Sequence, residues 1–250
     1  MAWTAEQVQA ALAPREARFL PITDSTNDAA RDWLRAGAPA GAVVVADAQR
    51  RGRGRLGRAW QTPPGAALAV SVILRPSPAE LPGLSMLAAA AVCDLLERLG
   101  CAGVGIKWPN DVQLGGRKVC GVLVETDWEQ DRLLGAVVGI GLNVRVDFSG
   151  TELAAAAVSL ADALDSVPER LDLLVGLLAG VDYWCARLGT RALYDAWRAR
   201  LTTVGRSVTV AGQGGPVAGV AEGVDAQGAL LVRDAAGALR RVVAGDIALG

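Results

Sequence analysis

The sequence predicts an α+β fold, with a mixed β-sheet domain followed by a small all-β domain. Three observations carry this. Apolar, β-rich runs alternate with helix-patterned segments up to about Leu201. Several of those runs are joined by turns of hairpin length, which a purely parallel sheet does not allow. Beyond Leu201 the pattern changes to four or five short strands spaced by glycine turns, the mark of a small β-barrel. The boundary falls near 202–206, so the chain divides into residues 1–202 and 203–250.

In chain order, residues 2–13 read as a short helix stopped by Pro14. "RFLPIT" (18–23) reads as a strand. In "DSTNDAARDWLRAG" (24–37), Ser25 and Asp28 have capping-box spacing and Gly37 is a stop. Ala29, Ala30, Trp33 and Leu34 share one face of that helix. "AVVVAD" (42–47) and "AALAVSVILRP" (66–76) are strands, and 82–100 is a long apolar helix. "GVGIKW" (103–108) is a strand with a turn at Pro109, Asn110 and Asp111. Residues 112–126 form a hairpin about Gly115–Gly116, and 133–144 is another buried strand. Residues 156–201 read as helical, beginning with "VSLADAL".

Composition narrows the chemistry. The net charge is −1, so a protein specialised for nucleic acid is disfavoured. There is no histidine, which excludes histidine bases, ligands and triads. Four cysteines without a CxxC pair argue against zinc and for free thiols in a reducing compartment. No leader or spanning segment is evident, so a cytoplasmic protein without membrane contact is expected.

Against that neutral background stands "RRGRGRLGRAW" (50–60), with five of the chain's 25 Lys and Arg residues. Its composition admits three readings: a solvated loop, a nucleic-acid strip, or a cradle for a small anion. Glycines let backbone N–H groups approach an anion, and guanidinium forks hold phosphate or carboxylate. Only Lys107 and Lys118 are lysines.

Four further segments decide among these readings: "DSTN" (24–27), "KWPND" (107–111), "GRKVCGVLVE" (116–125) and "GIGLN" (139–143). Together with "GRGRLGRAW" (52–60), and in this order, they resemble the biotin–protein ligases, of the monofunctional type without a DNA-binding domain. The resemblance implies a catalytic fold like that of class II aminoacyl-tRNA synthetases with a C-terminal barrel. It also implies a two-step reaction. Biotin and ATP, with Mg²⁺, give biotinyl-5′-AMP; biotin then passes to a lysine of a biotin carboxyl carrier domain of a biotin-dependent carboxylase. The carboxylate needs no base at pH 7, so fixed cations suffice and histidine is dispensable.

By the same resemblance, Arg55, Arg58, Lys118 and Asp111 are catalytic. Arg55 and Arg58 serve the carboxylate and phosphates. Lys118 reaches both, or is only a hairpin lysine. Asp111 orients Mg²⁺ or accepts the acceptor lysine's proton, and turn chemistry alone would also explain Asn110–Asp111. Ser25, Thr26 and Asn27 are a helix cap, or they reach the ureido ring along with Gln49. Gly52, Arg53, Asn110 and Gly121 line the pocket, with Val122, Leu123 and 139–142 against the thiophane ring. Trp60 stacks on adenine or fills core, and Asn143 faces the adenine or ribose. Arg50 and Arg51 fall outside the pattern and should be solvated. Lys107 is equally a structural or a functional lysine, and Cys120 is a buried filler. With only about twenty residues before the first shared strand, DNA binding is not expected; monomer and homodimer both stay open. The rival readings are a lipoate or octanoate ligase of the same fold and a nucleic-acid-binding regulator.

Overall fold

A computed structural model describes residues 3–212 and 215–249. Helix α1 (Ala5–Leu12) opens on a capping box formed by Thr4 and Gln7. Then follow β1 (Ala17–Thr23), α2 (Thr26–Arg35), β2 (Val43–Gln49), β3 (Ala67–Leu74), α3 (Gly83–Arg98), β4 (Val104–Lys107), β5 (Asp111–Leu114), β6 (Arg117–Glu129) and β7 (Arg132–Asn143). Helices α4 (Arg170–Cys185) and α5 (Arg191–Arg198) precede five strands: β8 (Ser207–Gly212), β9 (Gly215–Val224), β10 (Leu230–Arg233), β11 (Leu239–Val242) and β12 (Asp246–Leu249).

The large sheet runs β1-β2-β3-β7-β6-β5-β4. Only β1 and β2 pair in parallel, so the sheet is mixed, as the hairpin-length turns require. The second sheet is antiparallel, ordered β11-β10-β9-β8-β12. Two sequence expectations need correction. Ser25 sits at the N-cap of α2, but its side chain makes no capping hydrogen bond. The "VSLADAL" segment forms a single 3₁₀ turn at Leu160–Asp162, not a helix, because Ser159 closes it on Asp162 at once.

Side chains alternate across the sheet with period two. Val43, Val45, Val70, Val72, Val138 and Ile140 face α3 and α4 and join the main core. From Met86 to Cys93 helix α3 is apolar on all sides because it is covered on all sides. Val44, Ile73 and Val137 face the opposite way, under Ala30, Trp33 and Leu34 of α2. The main core continues into the second sheet through Val208, Val210 and Leu230. Trp108 pins the two sheets together: its backbone N–H donates to Thr203 Oγ1 at 2.9 Å and its indole Nε1 to the Gly228 carbonyl at 2.8 Å. Among the described residues no helix is long and apolar enough to cross a membrane.

Candidate active site

On the α2 face of the large sheet, past the N-terminus of that helix, lies a cleft of about 720 Å³. Period two decides which residues reach it. The cross-strand row Ala69–Gly141–Gly121 and the next row, Ser71–Gly139–Leu123, lie on this face. Glycines make room there. A Cβ on Gly141 would stand 2.5 Å from the Trp60 indole, and one on Gly139 would stand 2.3 Å from Asn27 Oδ1. Gly121 is tighter than ordinary contact, at 3.1 Å from Trp60 and 3.2 Å from Lys118. Trp60 therefore lies on a glycine floor, and its Nε1 is buried with no hydrogen-bond partner.

One wall is polar and uncharged. The Thr26 backbone N–H donates to Gln49 Oε1 at 2.8 Å, which turns Gln49 Nε2 toward Thr62 Oγ1 at 2.9 Å. Ser71 Oγ lies 2.8 Å from Thr26 Oγ1 and 2.6 Å from Asn27 Oδ1. Asn27 Nδ2 donates to Glu125 at 2.7 Å. Thr26, Asn27 and Ser71 are buried. The uncharged side chains that line the cleft here, Thr26, Asn27 and Gln49, suit a neutral ring with donors and an acceptor.

The other end is cationic. Lys118 Nζ pairs with Asp111 at 2.6 Å and sits 5.5 Å from the centre of the Trp60 ring. The Arg55 guanidinium donates to Asn110 Oδ1 and to the Gly245 carbonyl, both at 3.1 Å, and pairs with no carboxylate among the described residues. Burial pulls its pKa below the ordinary arginine value, with nearby Asp111 opposing. Lys107 also lines this end. Burial lowers its pKa, Asp111 pulls it back, and Lys118 and Arg58 push it down further. Arg58 pairs with Asp246 of β12. The second sheet thus supplies part of the cleft.

Most of the expected site residues converge here, but several differ in detail. Gly52 does not line the cleft. It faces a neighbouring groove, where a Cβ would stand 2.4 Å from the Trp60 carbonyl, so it is a packing glycine. Arg53 lines the cleft, yet its charge is spent on Asp28 at 2.7 Å and Glu125 at 2.9 Å. The amide of Asn110 donates to the Val122 carbonyl while its oxygen accepts from Arg55, and that of Asn143 donates to the Lys118 and Val158 carbonyls, which leaves Asn143 only its oxygen. Arg50 and Arg51 are exposed, Arg51 pairing with Asp24. Among the described residues, no three His, Cys, Asp or Glu side chains gather to hold a metal, so Asp111 stands without a protein cage. Burial raises the Cys120 thiol pKa well above its ordinary value, as befits a filler.

Sequence reasoning missed Ser71 and Glu125, which back the polar wall, and Asp246 and the stretch around Phe148, Thr151 and Leu153, which line the cleft. Ser71 had a signal: it is the one polar residue in the fully buried strand "ALAVSVIL". Asp246 had none, because nothing local ties β12 to a loop almost two hundred residues earlier.

A cleft with a glycine floor, a neutral polar wall and a cluster of cations, but no histidine, is built to join anionic groups by neutralising their charge. The model of the Biotin/lipoate A/B protein ligase family matches residues 19–143. The chain belongs to that family. Within it the likeness is to biotin ligases: residues 203–250 match the biotin protein ligase C terminal domain. A biotin–[acetyl-CoA-carboxylase] ligase of Paracoccus denitrificans is 36% identical over 234 residues, spanning 88% of this chain and 95% of that one. The bifunctional ligase/repressor BirA of Bacillus spizizenii is 33% identical over 241 residues, spanning 93% of this chain and 73% of its own. The structure of the biotin protein ligase from Aquifex aeolicus in complex with biotin and ATP superposes with a TM-score of 0.80 at 26% identity, covering 94% of this chain and 98% of that one.

Proposed function

We propose that the protein is an ATP-dependent biotin–protein ligase that makes biotinyl-5′-AMP and then biotinylates a lysine of a biotin carboxyl carrier domain. The observation that carries this is one continuous cleft with a neutral hydrogen-bonding wall at one end and Arg55, Lys107 and Lys118 at the other. The ureido ring takes the Thr26–Gln49 wall, and the glycine floor admits the fused rings. The carboxylate then points toward Lys118 and Arg55.

The two reacting groups are both anionic, so the barrier is largely their repulsion. Lys118 and Arg55 offset it where water is partly excluded. Asn110 holds Arg55 in place and is itself held by Val122. Asp111 keeps the Lys118 ammonium oriented until the substrates compete for it. A Mg²⁺ commonly takes one or two carboxylates and completes its shell with phosphates and water. Asp111 fits that role, and the ion would add charge neutralisation at the phosphates. In the second step the acceptor amine is mostly protonated at pH 7, and Asp111 is the cleft carboxylate nearest Lys118 to take its proton. Residues 1–202 act as the catalytic unit and 203–250 as the unit that completes the cleft through Gly245 and Asp246.

The test is to incubate the protein with ATP, Mg²⁺ and radiolabelled biotin or lipoate. An adenylate with biotin alone supports the reading. An adenylate with lipoate alone replaces it with the rival ligase.

A further inference from the structure

We propose that Glu125, which lies outside the reacting end, is a positioning residue that sets the donor–acceptor polarity of the neutral wall. It makes Thr26 an acceptor, and so selects a ring that offers N–H groups. This rests on the biotin-ligase reading above.

The chain of inference starts from a group that can only accept. The Glu125 carboxylate receives Asn27 Nδ2 at 2.7 Å, and the Leu123 carbonyl receives it at a longer 3.4 Å, so the amide's orientation is fixed chiefly by Glu125. Asn27 Oδ1 must then face Ser71 Oγ at 2.6 Å, and the absent Cβ of Gly139 leaves it the space. An amide oxygen cannot donate, so the single Ser71 proton goes to Asn27. Ser71 therefore has none for Thr26 Oγ1, 2.8 Å away. The Thr26 proton turns inward, to Ser71 Oγ or to Gln49 Oε1 at 3.1 Å. What Thr26 keeps for the cleft is lone pairs. A flipped Asn27 would reverse these links: its amide would donate to Ser71 and Ser71 would donate to Thr26, which takes a Thr26 lone pair away from the cleft and leaves the Thr26 proton only Gln49 Oε1 or the ligand.

Glu125 is itself held. Arg53 Nη2 lies 3.0 Å from Oε1 and 2.9 Å from Oε2, and Arg31 lies 3.8 Å from Oε1. Arg53 thus spans both oxygens, and Arg31 alone marks out the Oε1 side. In Glu125→Gln the Arg31 charge would hold the amide oxygen on that side and turn the NH₂ toward Asn27, which drives the flip. Asn27→Asp added to Glu125→Gln restores an obligate acceptor facing Ser71. This pair of variants reverses the cause without removing any heavy atom.

The experiment is biotin-dependent ATP–pyrophosphate exchange with biotin and with biotin methylated on one ureido nitrogen, alongside melting temperatures. Glu125→Gln should raise KM for biotin by about ten-fold, the effect of one misdirected hydrogen bond, with kcat within about two-fold. It should also shrink the preference for biotin over the N-methyl analogue. Glu125→Gln/Asn27→Asp should recover most of both. Unchanged KM and preference in Glu125→Gln would overturn the proposal. So would a loss that follows the melting temperature and is not rescued. If the wild type shows no biotin-dependent exchange, the biotin-ligase reading fails instead, and that outcome is read before any variant is made.

Discussion

Replacing Arg55 with alanine separates a built anion site from a diffusely basic loop. Arg55 is half-buried, its carboxylate-free guanidinium held by Asn110 Oδ1 and the Gly245 carbonyl. Those two bonds use part of its five-donor fork and leave donors for the cleft. Losing a charge-assisted hydrogen bond to an anion costs about 1.5–3 kcal/mol, which is roughly a 10- to 150-fold drop in adenylate formation. Stability should change little, within about 1 kcal/mol, because the lost hydrogen bonds are offset by relief of the guanidinium's burial. Arg50 is exposed and outside the cleft, so Arg50→Ala should be near neutral in the same assay. The measurement is single-turnover formation of labelled adenylate at saturating ATP and biotin, with denaturant melts on each variant. Equal losses at the two positions, or a loss at Arg55 explained by unfolding, would refute the reasoning.

Gly141→Ala should expel Trp60 from the floor, since the new methyl would stand 2.5 Å from the indole. Tryptophan emission should shift to the red and biotin affinity should fall by at least about ten-fold, the scale of one overpacked contact, while the fold persists. Ser71→Ala should destabilise the protein by about 1–3 kcal/mol, because it strands the buried Asn27 oxygen; urea titration checks this. Lys107 is held below the ordinary lysine pKa, so the unfolded chain binds more protons in the alkaline window just below that value. Its burial cost is then fully present at neutral pH and is relieved as pH rises through the lowered pKa. Lys107→Met should accordingly raise the melting temperature at pH 7 and flatten that alkaline slope, while slowing adenylate formation. Burial lifts the Cys93 thiol to about 12 and raises Cys120 further; both should resist a disulfide reagent in the native protein, and Cys185, half-buried, should react before them.

The sequence by itself determined the order of elements, because period-two and helical patterns, glycine stops and hairpin glycines are local. It also placed Arg55, Lys118, Asp111, Thr26 and Gln49 in one site, through motif order and not through any contact. Tertiary structure decided which charges remain free. Arg53, Arg55 and Arg58 look alike within one glycine-rich loop. Yet Arg53 is claimed by Asp28 and Glu125 and Arg58 by Asp246, and of these three Arg55 alone pairs with no carboxylate among the described residues. Those partners come from α2, β6 and β12, segments brought together only by sheet register and by the docking of the second sheet. Register also aligned Ser71 with Gly139 and Gly121 with Gly141 on one face. A shift of one residue would turn both rows, and the cleft with them, to the other side of the sheet. Electrostatic pairing and cross-strand register depend on distance in space, and for this chain that distance is set by contacts spanning up to 190 residues of sequence.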